Sequence, residues 1–353
     1  MKKLIILAII FFLAAPAFAL KVGPSGVVNG VPYLIYNSTY GLYYGAIGKA
    51  KNLMDKEESV TLSAFLISNG GSGANFVASL PDDDSRHGRL YPLGFDLSGA
   101  MWKTREERYY GLGSLTPEKG YTVLDNVHNK FTFQFTKPIT PRFLGEADIF
   151  VAGNDYSNIK QGVNPMTAAV QNTAKNYSGG SLKLIADLRD QSLDPHAGSY
   201  LIGSLDYGLG NCSYLKGGLD LRAYHTPLRA DQILASRLMV AQALGDTIPI
   251  YEYPFLGGKD TLRGYTMNRF RDQALALINL EYRFPLVVKW FQTVVFYEAG
   301  KVGGRLHRVG FDNWISDYGL GLHLILGGNV VVRGDLGVGA EGMNLYFFYN
   351  QAF

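Results

Sequence analysis

The chain has 353 residues, of which 47% are hydrophobic, 18% charged and 13% aromatic, and its formal net charge is +3. That charge is too small to argue for nucleic acid as a partner. Beyond the first residues no uninterrupted apolar run reaches the about 18 residues that mark a membrane-spanning helix, so a helical membrane protein is excluded.

In chain order, the first element is "MKK" followed by an apolar run from Leu4 to Ala15 and by "AFA" ending at Ala19. These are the charged region, the apolar region and the small-residue cleavage site of a secretory signal peptide. Residues 1–19 are therefore expected to be removed, and residues 20–353 to form one domain. No cysteine follows the cleavage site, so no lipid anchor is expected there. Cys212 is the single cysteine and cannot form an internal disulfide framework.

The mature chain reads as strands. The 42 glycines, 23 tyrosines and 20 phenylalanines favour twisted strands, tight turns and interfacial aromatic girdles. In "SLKLIADLR", Leu182, Leu184, Ala186 and Leu188 fall on one face while Lys183, Asp187 and Arg189 fall on the other. Leu215, Leu219, Leu221 and Ala223 likewise oppose Lys216, Asp220 and Arg222, and Val330, Val332 and Leu336 oppose Arg333 and Asp335. Charges of both signs recur on one face only, and turns are short on one side and long on the other. A soluble sandwich would alternate too, but this loop asymmetry is that of an outer-membrane barrel.

The pattern predicts an all-β fold, a transmembrane antiparallel β-barrel of about sixteen strands. They are expected near 27–36, 39–50, 57–68, 73–82, 89–103, 121–138, 142–154, 177–190, 196–207, 212–225, 230–243, 272–285, 288–299, 313–326, 329–338 and 344–353. The even count places both termini on the periplasmic side. The long connections 155–176, 244–271 and 300–312 then lie outside the cell, and "KPITPR", "HTPLRAD" and "LGGN" make periplasmic turns.

One of the long connections holds "GGKDTLRGYTMNRF", residues 257–270, three basic residues and an acid among glycines and aromatics. Glycines let such a loop bend inward, and a guanidinium offers a rigid fork for a carboxylate. Glu298 faces the lumen if Val295 and Tyr297 face lipid, which by spacing alone makes it one of many lumen charges within the choice of such a guanidinium.

The last strand, "NLYFFYNQAF", sets Leu345, Phe347, Tyr349 and Phe353 on one face and ends in an aromatic. That alternation is lipid-facing geometry. A terminal Phe resembles the signal by which bacterial assembly machinery recognises its barrels, with Gln351 in place of the usual apolar residue.

The resemblance of the arginine loop is specific. "TLRGY" at Thr261 to Tyr265, then "ALINLEYRFPL", then "VVFYEAG" is similar to the carboxy-terminal barrel of the bacterial surface antigen superfamily, outer-membrane proteins that insert or translocate other proteins. Its members carry a Val/Leu-Arg-Gly-Phe/Tyr motif on a loop that folds into the lumen and a Phe-x-Asp-x-Gly motif whose acid holds the arginine. The matches are Leu262, Arg263, Gly264 and Tyr265, then Phe296, Glu298 and Gly300, with Glu298 standing where the family has Asp. "DLRDQSLDPHAGSY", Asp187 to Tyr200, resembles a periplasmic turn of the family, and "RYYGLGS", Arg108 to Ser114, another recurrent segment. Members carry soluble polypeptide-transport-associated domains before the barrel. Here only about seven residues separate Ala19 from the first strand, so a bare barrel is expected, with periplasmic capture absent or supplied by a separate periplasmic or lipoprotein partner.

Enzymatic readings find no support. His87, His128, His196, His225, His307 and His323 are scattered without metal-ligand spacing, and no serine or carboxylate is tied to a loop-end histidine. "GGKDT" lacks the phosphate-loop spacing and its strand-helix context. Asp82, Asp83 and Asp84 could hold a cation but read better as a solvated turn. No catalytic residue, cofactor or metal is expected. Two functions remain. One is an insertion or translocation scaffold, or gated pore, whose seam between the first and last strands loosens where Gly26, Gly30 and Pro32 weaken the ladder. The other is a passive pore or structural surface protein that keeps the fold alone. Outer-membrane lipids and the barrel assembly machinery are the expected partners.

Overall fold

Period-2 alternation leaves each strand with one apolar and one polar face, and closing the sheet on itself is the way to bury every backbone edge. The computed structural model, which describes residues 18–166, 175–227, 229, 231–286, 288, 290–310, 312–326 and 330–353, does this with sixteen antiparallel strands. They are β1 (Gly26–Asn37), β2 (Gly41–Lys51), β3 (Ser59–Ile67), β4 (Ser72–Leu80), β5 (Gly94–Tyr109), β6 (Thr122–Thr140), β7 (Phe143–Lys160) and β8 (Asn176–Asp187). The wall continues through β9 (Gly198–Gly210), β10 (Ser213–His225), β11 (Ile233–Thr247), β12 (Ala274–Pro285), β13 (Phe291–Gly303), β14 (Ile315–Leu326), β15 (Val330–Gly339) and β16 (Gly342–Tyr349). Each strand pairs with the next, and β16 returns to β1.

The expected faces appear in the wall. Leu184 and Leu320 point outward, 66% and 58% exposed, whereas Arg333, Asp335 and Glu281 point into a lumen that buries them. Val295 and Tyr297 are exposed outside while Phe296 and Glu298 are buried inside. All sixteen expected strands are present. The largest shifts are at β5, which runs to Tyr109, and β7, which runs to Lys160. In both, pairing continues past the apolar stretch into polar sequence, where alternation no longer marks a strand.

The last strand is a correction. It ends at Tyr349, because Asn350 takes the left-handed conformation at φ 64° and turns the chain inward. Leu345, Phe347 and Tyr349 stay half-buried in the strand. Phe353 does not lie on the lipid face: it is buried against Tyr224, Ala235 and Ala352, with the Arg283 guanidinium 5.8 Å from its ring centroid.

The seam between β16 and β1 is short. Only Tyr346↔Asn37 and Phe347↔Tyr36 are in register, against a ladder from Val332↔Tyr349 to Gly339↔Gly342 between β15 and β16. Just above the registered pairs, Ser38 accepts from the Leu345 N–H at 2.7 Å. An extra strand, Phe18–Val22, covers Gly26–Gly30 of β1. The residues before Phe18, on which most of the expected signal peptide falls, parts of the 155–176 loop and of "HTPLRAD", and the glycines and asparagine of "LGGN" lie outside the described residues.

Candidate functional site

The connection between β11 and β12 does not stay outside the wall. Phe255–Leu256 pairs with Phe270–Arg271 as a small ladder, and Gly257 and Gly258, at φ 103° and 107°, turn the chain between them down into the lumen. A tight turn at Leu262–Tyr265 forms the tip, with the Tyr265 N–H donating to the Leu262 carbonyl at 3.1 Å. Its apolar side, Leu256, Leu262, Tyr265 and Phe270, packs on Leu275, Leu277 and Val302 of the wall. Gly300 leaves the space that Leu256 fills, since a Cβ there would come within 2.8 Å of it.

Arg263 is fully buried at the tip. Its Nε donates to Glu298 Oε1 at 3.0 Å, and its own backbone N–H donates to Glu298 Oε2 at 2.6 Å. Nη2 lies 2.9 Å from Glu298 Oε1 and 2.6 Å from Glu281 Oε1, and Nη1 lies 3.1 Å from Asp335 Oδ2. The guanidinium carbon sits 3.5 Å from the centroid of the Phe296 ring. The Gly264 N–H donates to Asp317 Oδ2 at 2.7 Å, and Asn279 Nδ2 ties Glu298 Oε1 to the Thr261 carbonyl at 2.8 and 2.7 Å. Tyr265 completes the seat, its carbonyl accepting from the Tyr346 hydroxyl at 2.8 Å and its own hydroxyl accepting from the Ala340 N–H at 3.2 Å.

Register builds this seat. Asn279, Glu298 and Asp317 stand side by side on β12, β13 and β14, and the next lumen row is Glu281, Phe296, Gly319 and Gly337. The two glycines make room. A Cβ on Gly319 would lie 2.2 Å from the Phe296 ring, and one on Gly337 would lie 2.4 Å from the Arg263 carbonyl carbon.

The seven motif residues, Leu262, Arg263, Gly264, Tyr265, Phe296, Glu298 and Gly300, thus meet at one place. The sequence reading missed Glu281, Asp335, Asp317, Asn279, Gly319 and Gly337. Their signal was the lumen parity of "NLEYRF", "DYGLG" and "RGDLG", but parity names a face and not a height. The other two basic residues of the stretch are also engaged. Lys259 pairs with Asp260, and Arg269 pairs with Glu341 at 2.6 Å while its Nη2 donates to the Thr116 carbonyl at 2.7 Å.

At the periplasmic end the turn between β8 and β9 also reaches inward. Asp194 is buried and accepts from Gln351 Nε2 at 2.7 Å and Gln292 Nε2 at 3.2 Å, with His196 Nε2 3.4 Å away. The hydrogen bond to Asp194 holds the His196 imidazole above its ordinary pKa. Burial works against the Asp194 charge, yet the His196 hydrogen bond and the Arg283 charge outweigh it and keep the carboxyl below the usual range. A raised histidine stabilises fully below its unfolded value of about 6.5 and loses that contribution as pH rises through the folded value. Asp194 remains ionised throughout that window. The turn should therefore resist protease a fewfold better at about pH 5.5 than at about pH 8.5, with the His196 ring titrating in step by NMR. Equal cleavage at both would refute the coupling.

The aspartate run is neutralised by lysines: Asp82 pairs with Lys49 and Lys51 at 2.7 and 2.8 Å, and Asp84 with both at 2.9 and 2.7 Å. The three carboxylates lie close enough together to share an ion, but the two ammonium groups already supply the counter-charge.

A closed sixteen-strand barrel with a charged lumen and an inward arginine loop defines an integral outer-membrane protein. The Omp85 superfamily domain matches residues 109–339, and the chain belongs to that family. In fold it is similar to BamA from Haemophilus ducreyi lacking POTRA domains 1–3, with a TM-score of 0.64 at 13% identity over 96% of this chain and 75% of that one. It is also similar to CdiB from Acinetobacter baumannii, with a TM-score of 0.59 at 17% identity over 92% of this chain and 59% of that one. No curated protein matches the sequence.

Proposed function

We propose that this barrel is a non-enzymatic scaffold for inserting or translocating proteins at the outer membrane. In this reading the arginine loop closes the lumen and the β1–β16 seam is the part that opens. The observation that carries this is the contrast between the two. The loop is held by a guanidinium among three buried carboxylates, while the wall closes through two registered residue pairs. Residues 1–19 would act as the export signal, outer-membrane lipids would surround the wall, and the assembly machinery would install it. A separate periplasmic or lipoprotein partner would deliver cargo.

The test is reconstitution in liposomes with a small unfolded barrel as cargo. The wild-type protein should accelerate cargo insertion. A seam locked by a disulfide between Tyr36→Cys and Phe347→Cys, in a Cys212→Ser background, should not. Steady open conductance in planar bilayers with no acceleration of insertion would establish the passive pore instead.

A further inference from the structure

The sequence reads "PDDDSRHGR" as a solvated turn, and the structure gives it a longer reach. It begins residues 81–93, the connection between β4 and β5. Asp82 and Asp84 lie 2.7 and 2.9 Å from the Lys49 ammonium of β2, two strands back in the wall. Arg86 folds inward onto β5, its Nη1 and Nη2 donating to the two oxygens of Asp96 at 2.6 and 3.0 Å. His87 then reaches β8, three strands ahead, where its Nδ1 lies 3.2 Å from Asp187 Oδ2. Lys49, Asp96 and Asp187 all face the lumen, because the outward residues that alternate with them are Tyr44, Leu97 and Leu184. The turn therefore crosses the periplasmic mouth as a chord from β2 to β8.

Asp187 is also where the next inward turn starts. Arg189 Nε and Nη2 each donate to it at 2.8 Å, and residues 188–197 carry the span on to β13 through Asp194 and Gln292. The two turns meet at one carboxylate.

The first turn is held by charge and hardly at all by apolar packing. Leu90 and Leu93 stay exposed, and so do the side chains of Asp83, Asp84 and His87. Exposed ion pairs are weak and are screened by salt. Arg86 is the exception, since both it and Asp96 are largely withdrawn from water. None of these partners belongs to the seat of Arg263, where the guanidinium and its carboxylates are fully buried.

We infer that residues 81–93 are a lid on the periplasmic mouth of the lumen, pinned by Arg86 and closed by the contact of His87 with Asp187. It opens while the arginine loop stays seated. The barrel then carries two closures of different strength, a buried one on the loop from the cell surface and a salt-sensitive one toward the periplasm. The inference goes beyond the scaffold reading, since the same lid would close a passive pore.

The experiment uses the full chain in lipid nanodiscs, in a Cys212→Ser background with Ser98→Cys as reporter. Ser98 stands two residues beyond Asp96 on the same face of β5, so the lid lies between it and the periplasm. The readouts are its rate of modification by a bulky uncharged maleimide and trypsin cleavage after Arg89, each divided by the rate for a free peptide in the same salt. Raising salt from about 0.1 M to about 1 M shortens the screening length from about 10 Å to about 3 Å. Both rates should rise about two- to fivefold, the range for exposed ion pairs. His87→Ala should give a rise of the same size at low salt. Arg86→Ala leaves Asp96 without its partner and should give about tenfold. Arg263→Ala should leave cleavage after Arg89 unchanged, with heat-modifiable gel migration confirming folding throughout.

Rates that ignore salt and both lid substitutions would overturn the lid. A reporter that reacts faster only in Arg263→Ala would put the barrier at the arginine loop and overturn it equally. A salt response with no change in His87→Ala would overturn the closing contact with β8. Neither readout requires cargo or conductance, so failure of the scaffold reading is scored separately.

Discussion

Arg263→Ala is expected to release the loop from the lumen. It leaves Glu281, Glu298 and Asp335 facing one another with their shared guanidinium gone. Breaking a buried ion pair by removing one partner costs about 3 to 5 kcal/mol, and water entering the lumen lowers the figure toward the bottom of that range. Protease access to residues 257–270 and conductance fluctuations should both rise. Glu298→Gln should do less, about 1 to 3 kcal/mol, because the guanidinium keeps Glu281 and Asp335 and the amide still offers one acceptor. The double variant should fall short of the sum, since losing the cation and one of its crowded anions together relieves repulsion. Simple additivity in protease protection would show that Glu298 and Arg263 do not act together.

Gly337→Ala should displace the loop almost as far as removing the arginine, although no charge changes. The added Cβ would sit 2.4 and 2.5 Å from the carbonyl carbon and oxygen of Arg263. Both are backbone atoms anchored on either side by the Glu298 and Asp317 contacts. Overpacking of this kind costs about 1 to 3 kcal/mol and more where neither side can yield. Gly217 on β10 is the control, because a Cβ there meets nothing within 4 Å. Gly217→Ala should leave proteolysis and heat-modifiable migration unchanged. Loop protection in Gly337→Ala equal to that of Gly217→Ala would mean that the loop does not rest on this wall.

These two results would locate the latch in different physical terms, one in charge and one in close approach. The seam depends on backbone pairing at Tyr346↔Asn37 and Phe347↔Tyr36. Neither substitution changes a seam residue, but the Tyr346 hydroxyl of the seam donates to the Tyr265 carbonyl of the loop tip at 2.8 Å, so a change in seam cross-linking after Arg263→Ala has that direct route.

The sequence by itself determined the wall. Strand number, lumen face and lipid face all follow from a period of two in side-chain direction, which is a local property of extended chain and needs no partner to be read. The glycines and guanidinium of the arginine loop were legible because they are adjacent in sequence, whereas the acid of the distant "FYEAG" stretch was tied to them by the resemblance to a known family. Tertiary structure decided the rest. Asn279, Glu281, Asp317 and Asp335 were visible as lumen residues, but which of them stand at the height of Arg263 depends on the stagger between neighbouring strands, and stagger is set by pairing across the sheet. Gly319 and Gly337 carry no side chain to announce that another backbone lies on them. The tail shows the limit most plainly. The alternation of "NLYFFYNQAF" continues through Phe353, and only the left-handed turn at Asn350, together with the buried partners waiting at Asp194, His323 and Arg283, sends those last residues into the lumen. An alternating pattern fixes which way a side chain would point if the strand continued, but whether the strand continues is settled by which contacts the chain finds on either side of the turn.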